Sequence, residues 1–359
     1  MPAEPLIDPG SDVVIGSADP SSPLQFVINA AAGSSAADAK REVLESALQA
    51  GGRLGELHFC RPDQLVAAAA QAARKALATR TAVVAVGGDG TMNTVAQAAH
   101  AAGCAMGVVP QGTFNYFART HGIPGDPAEA TRALFTAVPT PVQVAAINDR
   151  VFLVNASLGL YPDLLEDREA YKARFGRSRM VAFWAGAMTL LRAQRNLRLH
   201  IEHGTSLRQV RALTLFVGNN RLQLEQLGVQ APGPAAAAPG GTPGAGHLTA
   251  VVLRPIGTLA MIRLMLHGAM GTLGEAQGVE HFEFRRLVVT PTLPQRRRGM
   301  KVAHDGEVAR MRAPLEFRVL DKPLLLLIPQ AAAVTPENVQ GAAGDEAVAA
   351  ASAARRVVP

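Results

Sequence analysis

From Leu24 onward, short apolar runs alternate with longer stretches whose Ala, Leu and charged residues recur at helical spacing. Leu24 to Asn29, Ala82 to Val86 and Ala105 to Val109 have the largely apolar character of buried strands, and Arg53 to Phe59 can form another. Between and after them, Ser35 to Ala50, Asp63 to Thr79, Thr91 to Ala102, Phe114 to Thr120 and Pro127 to Ala137 read as helices. Pro62 is placed to start the second helix and Gly103 to end the third. Strands alternating with helices predict a parallel sheet with right-handed crossovers, which binds ligands outside the carboxyl ends of its strands. The loops after Val86 and Val109 lie at that edge.

The pattern changes after Pro139. Val142 to Ile147 and Val151 to Ser157 read as strands joined by a turn at Asn148, Asp149 and Arg150. Further strands are expected at Leu197 to Glu202, Arg211 to Gly218, Leu248 to Leu253, His281 to Thr290, Met300 to His304 and Leu315 to Leu320. Helices are expected at Ser178 to Asn196, as core packing rather than a membrane anchor, and at Leu259 to Gly271. The division that follows is a flexible tail at 1–23, an α/β domain at 24–140, a β-rich domain at 141–330, and a second flexible tail at 331–359. A Pro/Gly/Ala-rich insertion at 231–246 within the β-rich domain has little to bury and reads as a mobile loop.

Composition adds limits. Apolar residues make up 48% and charged residues 18% of the 359 positions, enough for a sizeable core. The net charge of +6 favours anionic partners without choosing among phosphates, nucleic acid and an anionic membrane. Two isolated cysteines, Cys60 and Cys104, make neither a disulfide framework nor a zinc site, so a reducing compartment is expected. The first residues lack a basic and apolar leader, and the apolar run from Met180 to Leu191 is too short to span a bilayer. A cytoplasmic protein is expected, with room for peripheral attachment at the inner membrane surface.

Candidate chemistry sits in two loops. Gly87, Gly88, Asp89, Gly90 and Thr91 follow a buried strand and open a helix. Glycines let the backbone approach a bulky anion, and free amides at a helix start carry partial positive charge toward it. Thr91 and Asn93 add side-chain donors. Asp89 suits a cation or a substrate hydroxyl near the phosphates. One strand along, Gly112, Thr113 and Asn115 repeat the logic after Pro110. Either loop alone also reads as a capped turn. The spacing matches neither the Walker A nor the dinucleotide fingerprint.

Taken in order, these segments resemble the diacylglycerol kinase catalytic-domain family, which includes bacterial lipid kinases and sphingosine kinases. The resemblance rests on Phe26 to Asn29 followed by Gly33 and Ser34, on Gly87 to Asn93, on Pro110 to Arg119, on Asn155 to Gly159, and on Asp305, Gly306 and Glu307. It implies a Rossmann-like α/β N-terminal domain and a β-rich, sandwich-like C-terminal domain. It also implies ATP and Mg²⁺ as cofactors, a lipid hydroxyl at a membrane surface as acceptor, and no nucleic acid; a homo-oligomer is compatible with it. Asn29 joins the nucleotide-binding set on this ground. The chain departs from the pattern at Ala30, where the family has Pro, at Tyr116, where it has Asp, and at Ala245, where a carboxylate supports a metal site; Glu225 is the acidic residue left nearby.

Asp305 and Glu307 would share a face if extended, and Gly306 between them suggests a turn aiming them at a site. The resemblance makes the pair base and metal-water ligand, with Glu307 favoured as base and Asp305 and Asp89 kept as alternatives; no metal ligand is assigned. His304 reads as a solvated residue beside that turn. Gln295 to Arg298 is a basic run that suits either solvent or an anionic membrane. The competing functions are a kinase of a soluble substrate, as in NAD kinases, and a nucleotide- or lipid-binding protein without catalysis.

Overall fold

The structure is a computed structural model describing residues 22–31, 37–160, 162, 197–203, 206–220, 224, 246–255, 279–292 and 299–329. The expected tails, the helices at 178–196 and 259–271, the insertion at 231–245, Gly33, Ser34, Glu225, Ala245 and the basic run at 295–298 lie outside these residues.

The first half alternates as its apolar periodicity demands. Strands β1 (Leu24–Asn29), β2 (Gly55–Cys60), β3 (Ala82–Gly87) and β4 (Ala105–Pro110) pair in parallel. Helices α1 (Ala37–Ala50), α2 (Leu65–Ala78) and α3 (Asp89–Ala102) connect them. Every residue of β3 is buried, which is why its sequence shows no polar alternation. α3 ends at Gly103, whose φ of 81° is the left-handed conformation glycine tolerates. Two short helices follow, α4 (Tyr116–Thr120) and α5 (Pro127–Ala133); Asp126 caps α5 by accepting from the Glu129 amide at 2.9 Å.

The helix expected at Pro127 to Ala137 is shorter than its sequence suggested. After α5 the chain forms β5 (Ala137–Val142), and β18 (Leu324–Pro329) returns from far along the chain to lie between β4 and β5. The six-stranded order is β2-β1-β3-β4-β18-β5, with only the β18–β5 pair antiparallel.

The remaining strands are β6 (Ala145–Ile147), β7 (Arg150–Phe152), β8 (Asn155–Gly159), β9 (Leu197–His203), β10 (Ser206–Ala212), β11 (Thr214–Gly218), β12 (Leu248–Leu253), β13 (Val279–Phe284), β14 (Arg286–Pro291), β15 (Met300–His304), β16 (Glu307–Met311) and β17 (Leu315–Val319). They form two antiparallel sheets, β10-β9-β14-β17-β6-β7 and β13-β12-β11-β8-β15-β16. Residues of both sheets, among them Ile147, Leu199 and Phe317 from one and Leu158, Val217 and Val302 from the other, share a single buried core. Three expected strands are in fact pairs. The chain bends at Leu153 and Val154, at Leu213, and at Arg285, and at each bend it passes from one sheet to the other. No Gly or Pro marks these corners in the sequence.

Candidate active site

The strand order reverses at β1, which has β2 on one side and β3 on the other, and the crevice outside a reversal is where open parallel sheets bind ligands. Here the loops after β1, β3 and β4 meet. Asn29 Nδ2 reaches Thr91 Oγ1 at 3.3 Å, while its own Oδ1 accepts from the Ala31 amide at 3.0 Å. The Gln111 amide donates to Gly87 O at 2.8 Å, fastening the second loop to the first. Between them lies a cleft of about 410 Å³, walled by Gly88, Gly90, Thr91, Thr94, Gln111 and Gly112 on the loop side and by Pro62, Leu65 and Val66 on the other. Asn29 and Glu307 complete the wall.

The glycines are required by close approach. A Cβ on Gly112 would stand 2.6 Å from Asn115 Oδ1 and 3.0 Å from the Gly88 Cα, so the two loops touch backbone to backbone. Gly88 is the N-cap of α3 and brings no side chain to its free amides. The first helical bond is Met92 N to Gly88 O, which leaves the amides of the opening residues for an anion.

Not every expected contact faces the cleft. Asn115 adopts φ 47° and closes its amide on Gly112, accepting from its N–H at 3.0 Å and donating to its carbonyl at 2.9 Å. It shapes the loop. Thr113 is exposed at the loop tip, and Gly87 lies buried behind it, its Cα hydrogens against Thr91. Burial raises the Asp89 carboxyl above the ordinary aspartate value, while the backbone amides of Asn115 and Phe117 pull it down. Asp89 therefore looks toward the start of α4.

Asp305 and Glu307 divide. Asp305, with φ 44°, is 5% exposed. Its Oδ2 accepts from the Leu153 amide at 2.6 Å and from Asn93 Nδ2 at 2.7 Å. Its Oδ1 accepts from the amides of Val154 and Asn155 at 2.8 and 3.0 Å. The carboxylate thus fastens the corner between β7 and β8. Burial pushes its pKa up to about 6 against the pull of these donors. Glu307 comes to the cleft: a Cβ on Gly90 would lie 2.9 Å from its Oε1. Partial burial raises its carboxyl, and the Arg150 guanidinium works in the opposite direction. His304 is not solvated as expected. It is 3% exposed with both ring nitrogens unpartnered, and burial together with Arg150 lowers its pKa to about 4. The even-numbered residues of β15 face the core between the sheets, and His304 shares that parity with Met300 and Val302.

Sequence reasoning passed over Gln97, Gln111 and Thr94. Gln97 lies one turn beyond Asn93 and accepts from the Val151 amide at 2.7 Å, while Asn93 donates to the Val151 carbonyl at 2.8 Å. Their four-residue spacing on α3 was the available signal. Among the described residues no group of three or more His, Cys, Asp or Glu is placed to hold a metal ion. No described helix is long and apolar enough to cross a membrane.

Comparison with known proteins follows the same outline. Residues 23–147 match the family model described as the diacylglycerol kinase catalytic domain. Over these residues the chain is similar to that family. A Klebsiella pneumoniae protein named "Probable lipid kinase YegS-like" is 38% identical over 98 residues, 26% of this chain and 33% of the relative. A Bacillus subtilis protein named diacylglycerol kinase is 26% identical over 257 residues, 69% of this chain and 78% of the relative. The chain spans less than two thirds of several relatives, 33% of the Klebsiella protein and 48% of one from Cronobacter sakazakii. A crystal structure of a diacylglycerol kinase from Bacillus anthracis superposes with a TM-score of 0.59 at 17% identity, covering 87% of this chain and 98% of that one. That likeness extends the shared fold beyond the matched catalytic domain.

Proposed function

We propose that the protein is an ATP-dependent lipid kinase, transferring the γ-phosphoryl group to a hydroxyl of diacylglycerol or a related lipid. The observation that carries this reading is Glu307, a carboxylate held against Gly90 at the N-terminus of the glycine-bounded helix α3. The cleft fits a nucleoside triphosphate on this structure's own terms. Gly88 and Gly112 leave space a Cβ would fill, and the opening amides of α3 are free. Thr91 adds a hydroxyl beside them, and Pro62, Leu65 and Val66 offer an apolar wall to a base. A divalent cation bound with the phosphates supplies charge neutralisation. Mg²⁺ commonly keeps several waters beside phosphate oxygens, so Glu307, the carboxylate on the wall, would hold it through a water and keep an oxygen for the proton.

In the reaction, the lipid hydroxyl oxygen forms a bond to the γ-phosphorus. The bond from that phosphorus to the bridging oxygen breaks, ADP leaves, and Glu307 takes the hydroxyl proton. A carboxylate raised by partial burial holds that proton more readily than one in water. Asp305 acts by placement, fixing the turn that carries Glu307. The fold class fits the same reading, with a Rossmann-like nucleotide half and a sandwich-like half facing the acceptor. The expected test uses ³²P-labelled ATP with mixed lipid micelles. Wild type yields a labelled phospholipid. Glu307→Gln binds ATP normally and loses turnover by about 10²-fold or more, and Asp89→Ala loses both. A soluble acceptor labelled equally well without lipid, or full turnover by Glu307→Gln, overturns the proposal.

A further inference from the structure

The described residues lining the cleft include no Lys, Arg or His, although a triphosphate brings several negative charges. A cation does stand directly behind the wall. Lys40 is 3% exposed, and its ammonium donates to Asn29 O and Ala30 O at 3.3 Å each, at the carboxyl end of β1. Burial lowers its pKa. Its location is costly twice over. A buried ammonium loses hydration, and the fourth residue of α1 sits near the positive end of the helix dipole. Core packing would be served better there by an apolar residue.

The carbonyls it holds belong to the turn that positions Asn29. Asn29 Nδ2 reaches Thr91 Oγ1, and Asn29 Oδ1 takes the Ala31 amide. The turn has Ala30 where a proline would fix φ by itself, so its geometry depends on such bonds. We infer that Lys40 is a positioning residue of the nucleotide site: it clamps the end of β1 so that Asn29 meets Thr91, and it places its positive charge behind the phosphates. This rests on the reading of the cleft as a nucleotide site. A buried charge is shielded little by salt, so it contributes to anion affinity without touching the ligand.

The test is ATP binding in the presence of Mg²⁺, followed by calorimetry and by ligand-induced thermal shift, neither of which needs an acceptor. Lys40→Met weakens ATP binding about tenfold or more, the range for a hydrogen bond to a charged group. Lys40→Arg keeps most of the affinity. Lys40→Gln, which retains a donor and drops the charge, also loses affinity and serves should the Met variant not fold. Leu44→Ala, a buried truncation on the same helix, lowers the melting temperature and leaves ATP affinity unchanged. Wild-type affinity in both uncharged variants overturns the inference, as does an equal loss in Leu44→Ala. Absence of ATP binding by the wild type overturns the nucleotide-site reading itself, and Lys40's role with it; the wild-type measurement alone reveals that outcome.

Discussion

Asn93 Nδ2 lies 2.7 Å from Asp305 Oδ2, joining two residues 212 positions apart. Asn93 belongs to the helix that opens at the phosphate loop, and Asp305 stands two residues before Glu307. The bond therefore spans the α/β and β-rich parts of the chain and sets the distance between phosphate loop and carboxylate. Asn93 and Gln97 also hold the Val151 peptide at both ends. The α3 helix is thus fixed to β7 and, through Asp305, to the turn that precedes Glu307.

Asp305→Asn preserves shape and removes the charge that four donors share. Two of those donors must then face an amide N–H. The expected loss of stability is about 2–4 kcal/mol, as for a buried charged acceptor left mismatched. Urea denaturation measures it. A double-mutant cycle with Asn93→Ala should show coupling beyond additivity. A loss under about 1 kcal/mol, inside the range of neutral surface changes, would show that the four bonds do not hold the corner together.

Gly88 and Gly112 touch, yet their alanine variants should differ. On Gly112 the new Cβ meets Asn115 Oδ1 at 2.6 Å and the Gly88 backbone at 3.0 Å; on Gly88 the nearest neighbour is 3.5 Å away. Gly112→Ala must push the loops apart and is expected to cost about 1–3 kcal/mol, with ATP affinity reduced as well. Gly88→Ala should leave the melting temperature of the unliganded protein near wild type. Equal melting temperatures for the two variants would contradict the contact.

The glycine loops and parallel strands were legible because each is local: a buried run, then a glycine turn, then a helix. The rest depended on partners far away in sequence. β5 contains Pro139 and Pro141, which argue against a strand, but it lies at the edge of its sheet, where proline is tolerated. His281 to Thr290 has one apolar pattern and belongs to two sheets, because a single residue, Arg285, turns the corner. Asp305 read as a catalytic partner of Glu307 because the family resemblance implies it. What it holds, the amides at 153–155, could not be seen without the corner between β7 and β8. His304 looked solvated because the turn beside it is polar, while its parity on β15 pointed inward.

His304 gives a pH prediction. Its folded pKa of about 4 lies below its ordinary value of 6.5, first from burial and then from Arg150. A depressed histidine contributes stability that is fully present above pH 6.5 and is lost as pH falls toward 4. Asp305, raised to about 6, acts in the opposite sense, but it is common to both proteins in a comparison. His304→Leu removes two unpartnered ring nitrogens from an apolar face. It should be as stable as wild type at pH 7, or more so by about 1 kcal/mol. Between pH 6.5 and 4 its stability should fall less steeply, by up to about 1.4 kcal/mol per pH unit, the effect of one proton. Parallel stability–pH curves would mean that the imidazole is not held neutral.

The return of β18 makes a prediction about independence. The segment matched by the family model, residues 23–147, contains β1 to β6 but not the strand between β4 and β5. β18 pairs with β5 along its whole length, from Leu324 opposite Val142 to Pro329 opposite Ala137. Leu324, Leu326 and Leu327 are buried in the same core as β3 and β4. Without them a fragment of residues 22–147 exposes three leucines' worth of apolar surface, roughly 1.5–3 kcal/mol each, and leaves β4 as an open edge. The fragment should be aggregated or lack cooperative unfolding. Joining residues 321–329 to its C-terminus through a Gly/Ser linker should restore a sharp thermal transition. A fragment that unfolds cooperatively without β18 would show that the parallel sheet is complete by itself, and that the late strand only covers a finished edge.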